Sequence, residues 1–534
     1  MKVSLKCLKY VRIALAAFVW MAVTLLFLDF TGTIHQWFGW MAKIQFLPAL
    51  LALNFGVVVV LLLLTIIFGR IYCSIICPLG IMQDILAWMG TRSKKKRNKY
   101  HYTKARNILR YVVLGAFAVL MFMGLNSIAI LIAPYSAYGR IVQNLFKPIY
   151  LVGNNFLAYI SERLDSYAFY PVEIYIKSLS TLIIALITFI VIAVLAWRGG
   201  RTWCNTICPI GTLLGTISKY SLFKPVINRE KCVKCHMCEK RCKAACINID
   251  EQMIDASRCV ACMNCINDCH KGAIQYQFSY RRFRSSADEK MQVLNTQDEN
   301  IQTAVQKNSD TNENGADSSD VERISVMRRG FLASLPALAV SSVAMAQDKL
   351  TDGGLAELQP RQQPARGDFS LKPAGSKSYQ NFSRRCTACQ LCVTNCPNDV
   401  LRPSNSLLSL MQPEMGFDKG FCRPECTRCS DVCPTGAIQP IGRAEKSSIQ
   451  IGHAAWEKSL CLPFANSTKC GNCARHCPNG AIEMIEIDAP NGDKIEVPSV
   501  DTERCIGCGA CEYVCPVRPV SAIHIVGHEV HKEI

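Results

Sequence analysis

Residues 232–242 read Cys232-Val233-Lys234-Cys235-His236-Met237-Cys238-Glu239-Lys240-Arg241-Cys242. Residues 259–269 repeat the spacing as Cys259-Val260-Ala261-Cys262-Met263-Asn264-Cys265-Ile266-Asn267-Asp268-Cys269. Three thiolates two residues apart can wrap one face of a four-iron core, and the fourth, opening the next helix, reaches the neighbouring core. The spacing therefore predicts one [4Fe–4S] cluster on Cys232, Cys235, Cys238 and Cys269, and a second on Cys242, Cys259, Cys262 and Cys265. Zinc sites use paired CxxC units rather than such triplets. Cys232-x-x-Cys235-His236 also fits the haem-attachment pattern, but both cysteines already belong to the stronger motif. Lys243 and His270 stand where ferredoxin runs usually carry proline.

Working outward, the theme returns four times in the last third of the chain. The runs are Cys386, Cys389, Cys392, Cys396; Cys422, Cys426, Cys429, Cys433; Cys461, Cys470, Cys473, Cys477; and Cys505, Cys508, Cys511, Cys515. Each final cysteine precedes a proline, namely Pro397, Pro434, Pro478 and Pro516. The second run opens by one residue and the third by a longer insertion after Cys461. Sixteen cysteines make four more clusters, six in all. Spacing leaves open whether adjacent runs pair or the first pairs with the last.

The chain has 534 residues, 50% hydrophobic, with a formal charge of +18 and 30 cysteines. Disulfide scaffolds are short secreted chains, which excludes a disulfide reading here. The positive charge lies beside apolar stretches rather than on a nucleic-acid-like patch, so no nucleic-acid partner is expected. Apolar stretches near 11–30, 48–68, 108–133 and 178–197 each approach the ~20 residues that cross a bilayer.

Lys2, Lys6, Lys9 and Arg12 precede the first stretch. Arg92, Lys94, Lys95, Lys96, Arg97, Lys99, Lys104 and Arg106 separate the second from the third, and Arg198 and Arg201 close the fourth. From Pro134 to Tyr175 there are only Arg140, Lys147 and Arg163. The positive-inside rule then puts the N-terminus, the 70–107 loop and the segment after 198 in the cytoplasm. The expected architecture is a membrane α-helical bundle of four spans (residues 1–215) with two α+β bacterial-ferredoxin-like modules, at 225–280 and 380–534.

Between the modules, residues 281–326 read as a polar, disordered linker. Residues 327–347 carry Arg328-Arg329, a short apolar run and Ala344-Met345-Ala346, resembling a twin-arginine export signal. Met327 and Ala333 depart from its usual flanks, and a fifth membrane anchor is the alternative. On either reading the array at 380–534 faces the periplasm of a bacterial inner membrane, with 225–280 in the cytoplasm.

Six cysteines remain: Cys7, Cys246 and two pairs inside an internal repeat. Gly69-Arg70-Ile71-Tyr72-Cys73-Ser74-Ile75-Ile76-Cys77-Pro78-Leu79-Gly80 matches Gly200-Arg201-Thr202-Trp203-Cys204-Asn205-Thr206-Ile207-Cys208-Pro209-Ile210-Gly211. Cys73, Cys77, Cys204 and Cys208 are candidate cofactor-binding residues. A quinone pocket, a shared metal, redox thiols and a plain structural turn all stay open for them. Cys7 and Cys246 are not expected to be ligands.

The first 280 residues, with four apolar stretches, two CxxxCP motifs and a two-cluster ferredoxin, resemble the NapH-type membrane quinol dehydrogenase component. Residues 325–534 resemble its NapG-type periplasmic partner in the MauM/NapG family. A fusion of the two departs from the usual arrangement. The resemblance implies quinol as donor, the quinone pool and membrane as partners, and a periplasmic oxidoreductase or cytochrome as acceptor, nitrate reductase above all. CxxxCP ferredoxins also resemble proteins that assemble respiratory complexes or reduce metals during maturation. No G-x-G-x-x-G or P-loop pattern is present, so no substrate-chemistry site beyond electron transfer is expected.

Overall fold

The computed structural model describes residues 5–29, 31–93, 100–278, 369–488 and 494–534, together with 351–352, 356–357, 361–364 and 366–367. The segments expected as linker (281–326) and as export signal (327–347, with Ala346) lie outside the described residues.

Most of the described residues among the first two hundred are helical. The longer helices are α1 (Leu5–Leu28), α2 (Phe55–Phe68), α3 (Pro78–Ser93), α4 (Asn107–Phe122), α5 (Lys147–Arg163), α6 (Leu179–Gly199) and α7 (Pro209–Ser218). Two stretches, Leu8–Leu28 and Leu179–Gly199, are long and apolar enough to cross a bilayer. The stretches expected at 48–68 and 108–133 are interrupted. Asn54 caps α2 by accepting from the Val57 amide at 3.4 Å, so the helix starts late. Gly124, at φ +79, ends the next apolar helix early. These two helices are therefore only 14 and 16 residues long.

The internal repeat has a local cause. Gly69 and Gly200 both terminate a long helix in the positive-φ region, which a side chain would resist. A five-residue helix carries the first cysteine of each pair. Pro78 and Pro209 then open α3 and α7, where a missing N–H costs nothing. Cys208 caps α7, its sulfur accepting from the Gly211 amide at 3.3 Å.

The module after α7 is closed by strands β1 (Phe223–Ile227) and β2 (Ile274–Phe278), antiparallel with Phe223 opposite Phe278. The Tyr276 hydroxyl donates to the Phe68 carbonyl at 2.7 Å, fixing this module to the end of α2. In the C-terminal array, β3 (Ile449–Trp456) pairs antiparallel with β6 (Ile523–Glu533), and β4 (Ile482–Asp488) with β5 (Lys494–Val500).

The two modules sit at opposite ends of α1. Near its start, Arg12 pairs with Asp84, which also holds Lys243 of the first module. Near its end, Phe27 packs on Tyr135 at 5.9 Å and beside Gly139, which abuts the Cys389 carbonyl of the array.

Candidate iron–sulfur centres

The cysteine triplets share a backbone signature. Lys234 and His236, Ala261 and Met263, Ala388 and Gln390, and Gly507 and Gly509 all have positive φ. Left-handed residues on either side of the middle cysteine curl successive amides toward the sulfurs and form an anion-binding nest. His236 has its own partner, Glu239, at 2.7 Å. The insertions in the second and third runs remove this alternation: Thr427 has φ −111 and Gly471 φ −175.

The first module brings its thiols together in two sets. Cys232, Cys235, Cys238 and Cys269 ring one cavity. Cys242, Cys259, Cys262 and Cys265 ring another, and Cys246 lies in the same wall. The Cys246 sulfur is 3.5 Å from that of Cys242, so a residue given no role from spacing lies against the expected ligands.

The array resolves the pairing that spacing left open: adjacent runs pair. Cys433 closes on Cys386, Cys389 and Cys392. Cys396 returns to Cys422, Cys426 and Cys429. Cys477 lines one cavity with Cys505, Cys508 and Cys511, and Cys515 stands with Cys461 and Cys470. Backbone amides donate to several last-of-run sulfurs, as Ala273 does to Cys269 and Ala481 to Cys477, each at 3.2 Å. Among the described residues no three His, Cys, Asp or Glu side chains close on one point as a single ion requires. The Cys232, Cys242 and Cys505 sets instead surround small cavities, the wider spacing that a four-iron core fits.

The centres also have an order. Cys389 lies under the helical body, and the Cys422 amide donates to the Cys508 carbonyl at 3.0 Å. The Cys386 set is therefore innermost, followed by the Cys422 set and the Cys505 set. The Cys461 set is outermost, with exposed residues at 465–469 just before Cys470.

Cys73, Cys77, Cys204 and Cys208 are all buried and lie within electrostatic reach of one another. The two repeats interlock through their arginines. Arg70 Nη2 donates to the Cys204 carbonyl at 3.1 Å, and Arg201 Nη1 to the Cys73 carbonyl. Gly80 and Gly211 have no room for a Cβ, because the cysteine carbonyl of their own repeat and the arginine of the other fill it. Gln83 donates to the Cys204 sulfur at 3.2 Å, and Arg70 approaches that of Cys73 at 3.9 Å. Burial, the largest effect here, raises the Cys77, Cys204 and Cys208 thiols, while Arg70, Arg201 and Gln83 oppose it at Cys204. Arg70 lies within electrostatic reach of Cys259 on one side. On the other, Tyr72 lies within reach of Cys73, Cys77 and Cys208, and Tyr135 within reach of Tyr72, Cys389 and Cys433.

Comparison with known proteins follows this division. The family model described as a 4Fe-4S binding domain matches residues 50–99 and 181–230. One described as a 4Fe-4S dicluster domain matches residues 468–518. The methylamine utilization ferredoxin-type protein MauM of Methylobacillus flagellatus is 33% identical over 180 residues, 32% of this chain and 74% of that protein. MauM of Methylophilus methylotrophus is 33% identical over 195 residues, 34% of this chain and 80% of that protein. The ferredoxin-type protein NapG of Haemophilus influenzae is 32% identical over 200 residues, 34% of this chain and 70% of that protein. No solved structure matches. With its [4Fe–4S] domains and these relatives, the chain belongs to the MauM/NapG family of ferredoxin-type electron-transfer proteins.

Proposed function

We propose that the chain is a membrane-bound relay that carries electrons from the quinol pool to a periplasmic reductase or cytochrome, in the manner of a nitrate-reductase supply line. The observation that carries this reading is positional. Two cysteine-rich modules occupy opposite ends of one helical body, and buried sulfurs and tyrosines line the way between them. A protein acting on one side of a membrane has no need of that arrangement.

In this reading the helical body has four spans, α2 and α4 completing theirs with the short helices Phe46–Leu51 and Asn126–Ala129 beside them. Residues 1–280 act as the NapH-type component and the array as its NapG-type partner. Phe278 and Arg361, described residues before and after the apolar run at 331–346, belong to the two different modules, which supports a crossing by that run.

The ligands are those expected from spacing: two inner clusters on the Cys232 and Cys242 sets and four outer ones on the array, with its adjacent runs exchanging their last cysteines. Each cluster supplies one-electron chemistry, and the chain supplies amide donors, burial and order. Cys73, Cys77, Cys204 and Cys208 hold a further centre between the modules. In its support, the two 4Fe-4S binding domain matches contain these four cysteines and none from the triplets.

Phosphatase fused after residue 360, active only in the periplasm, should be active, and a silent fusion would put the array inside. Purified full chain should hold about 24 iron atoms from six four-iron clusters, and about four more if the CxxxCP centre is also a four-iron cluster. Quinol should reduce them. Clusters that stay oxidised with every quinol would end the quinol reading.

A further inference from the structure

We propose that quinol is oxidised in the cavity between the helical body and the array, and that the first electron acceptor is the centre on Cys396, Cys422, Cys426 and Cys429. This rests on the quinol reading above and places its site at the outer end of the molecule, away from the CxxxCP repeats.

The cavity measures about 550 Å³, within the range of small-molecule sites. Its walls come from three places. Lys147, Pro148 and Leu151 belong to α5, Glu173 to Lys177 precede α6, and Gln390, Thr394, Cys396 and Asp399 belong to the array. Cys396 opens onto it directly, so a bound ring stands next to a cluster ligand. Where α5 begins, Val142–Phe146 forms one π-helical turn that adds Gln143 and Asn144 to the wall. Such single turns recur at functional sites.

Polar and apolar groups share the lining. Lys177 Nζ is 2.8 Å from the Asp399 carboxylate, and Lys147 Nζ donates to the Thr394 carbonyl at 3.2 Å. The Gln390 carbonyl oxygen accepts from Asn144 at 3.1 Å, while its amide nitrogen is buried with no partner. A buried donor without a partner is costly unless a ligand accepts from it. A quinone carbonyl is such an acceptor.

Access from the lipid phase is also built in. Ile149, Val152, Phe156 and Ile160 form one exposed stripe along α5, the pattern of a helix lying in the membrane interface. Tyr167, Phe169 and Tyr170 are exposed next to it, as aromatic side chains are at headgroup level. Tyr170 also lines the cavity.

The reaction balances as follows. Quinol loses two electrons and two hydroxyl protons to become quinone. A four-iron centre held by Cys396, Cys422, Cys426 and Cys429 would take up these electrons one at a time and hand each on along the array. Both protons leave to water at the cavity mouth, where the exposed Glu173 carboxylate stands.

The test uses the full chain in phospholipid nanodiscs. Decylubiquinol is the donor, and an azido-substituted short-chain benzoquinone is the photoprobe. Leu151→Trp, which fills the cavity, and Lys177→Gln, which unpairs Asp399, should each slow cluster reduction by roughly tenfold or more. Dithionite should still reduce a full complement of clusters in both. If tryptophan disturbs folding, Lys177→Gln and the photolabel decide alone. The photoprobe should label peptides within 147–151 and 170–177. Label confined to the CxxxCP repeats, or an unchanged rate in both variants, would overturn the site while leaving quinol oxidation standing. A wild-type chain that no quinol reduces takes the site down together with the quinol reading.

Discussion

The two modules carry the same kind of cysteine run but meet the helical body in different ways. The inner one is held by buried charge. Arg201 grips both oxygens of Asp84 at 2.7 Å, Lys243 reaches the same carboxylate, and Arg70 and Arg110 close on the backbone and hydroxyl of Ser257. The outer array meets the body mostly through neutral groups. Asn126 reaches the Arg384 carbonyl, Ser178 and Ser180 donate to Asn405 at 3.0 and 2.6 Å, and Lys177–Asp399 is the strongest ion pair. A buried charge network is costly to assemble and punishes any change of register. A neutral interface around a cavity can close after its two sides have folded apart, which suits the proposed topology, in which the array reaches the body from the other side of a membrane.

The most severe way to break the comparison is to cut the outer line while leaving the inner module whole. Cys429→Ser removes a ligand from the second centre of four. Iron content should fall by about four atoms per chain. Quinol-driven reduction of an acceptor docked at the Cys461 end should fall by roughly a hundredfold or more. Metal analysis and stopped-flow absorbance check the two effects. Full transfer in a chain shown to lack that centre would mean that the array is not a line.

Asp84→Asn probes the inner interface. It leaves Arg201, Lys243 and Arg12 without their shared counter-charge, and losing one partner of a buried pair costs about 3–5 kcal/mol. The inner clusters should be released at lower temperature, with the array unaffected. Lys177→Gln, at the half-exposed outer pair, should cost about 1 kcal/mol or less. Arg201 and Lys243 also hold the Asp84 carboxyl well below the usual carboxylate range, against the opposing effect of burial. A carboxylate lowered in the folded state stabilises it above its unfolded value near 4, and that contribution is lost as pH falls below it. Acid should therefore loosen the inner module before the Asn variant shows any further change.

Much of this could be read in the chain because cluster ligation is local. Three cysteines at fixed spacing and a fourth on the next helix commit their partners within the stretch 232–269, and the structure brings together the sets expected there. Pairing within the array was not legible, since it depends on which hairpins stack, and Cys422 meets Cys508 across nearly ninety residues. The repeat at 69–80 and 200–211 was visible, but not that each arginine serves the other copy. Apolar runs also overstate helices: hydropathy passes smoothly through Asn54 and Gly124, where a cap and a positive φ break the backbone. The cavity beside Cys396 is built from segments over two hundred residues apart, and no local pattern announces it.

Cys246 sharpens the comparison at its finest grain. It is a fifth thiol in the wall of the Cys242 cavity, 3.5 Å from the Cys242 sulfur. As a neutral thiol it can donate to the ligand sulfur, and such a bond favours the more negative, reduced cluster. One hydrogen bond of about 1 kcal/mol corresponds to roughly 40 mV for a single electron. Cys246→Ala should therefore lower the potential of the Cys242 centre by that order without loss of iron, and Cys246→Ser should restore part of the shift. A redox titration followed by electron paramagnetic resonance distinguishes this from ligation. If Cys246 were itself a ligand, the alanine variant would lose a cluster instead of moving its potential, and the serine variant would not recover it. A shift confined to the inner module would then show that the two ends of the relay are tuned by different means: the inner one by a buried thiol donor, the outer one by backbone amides and by side chains such as Lys446 at Cys422 and Thr435 at Cys433.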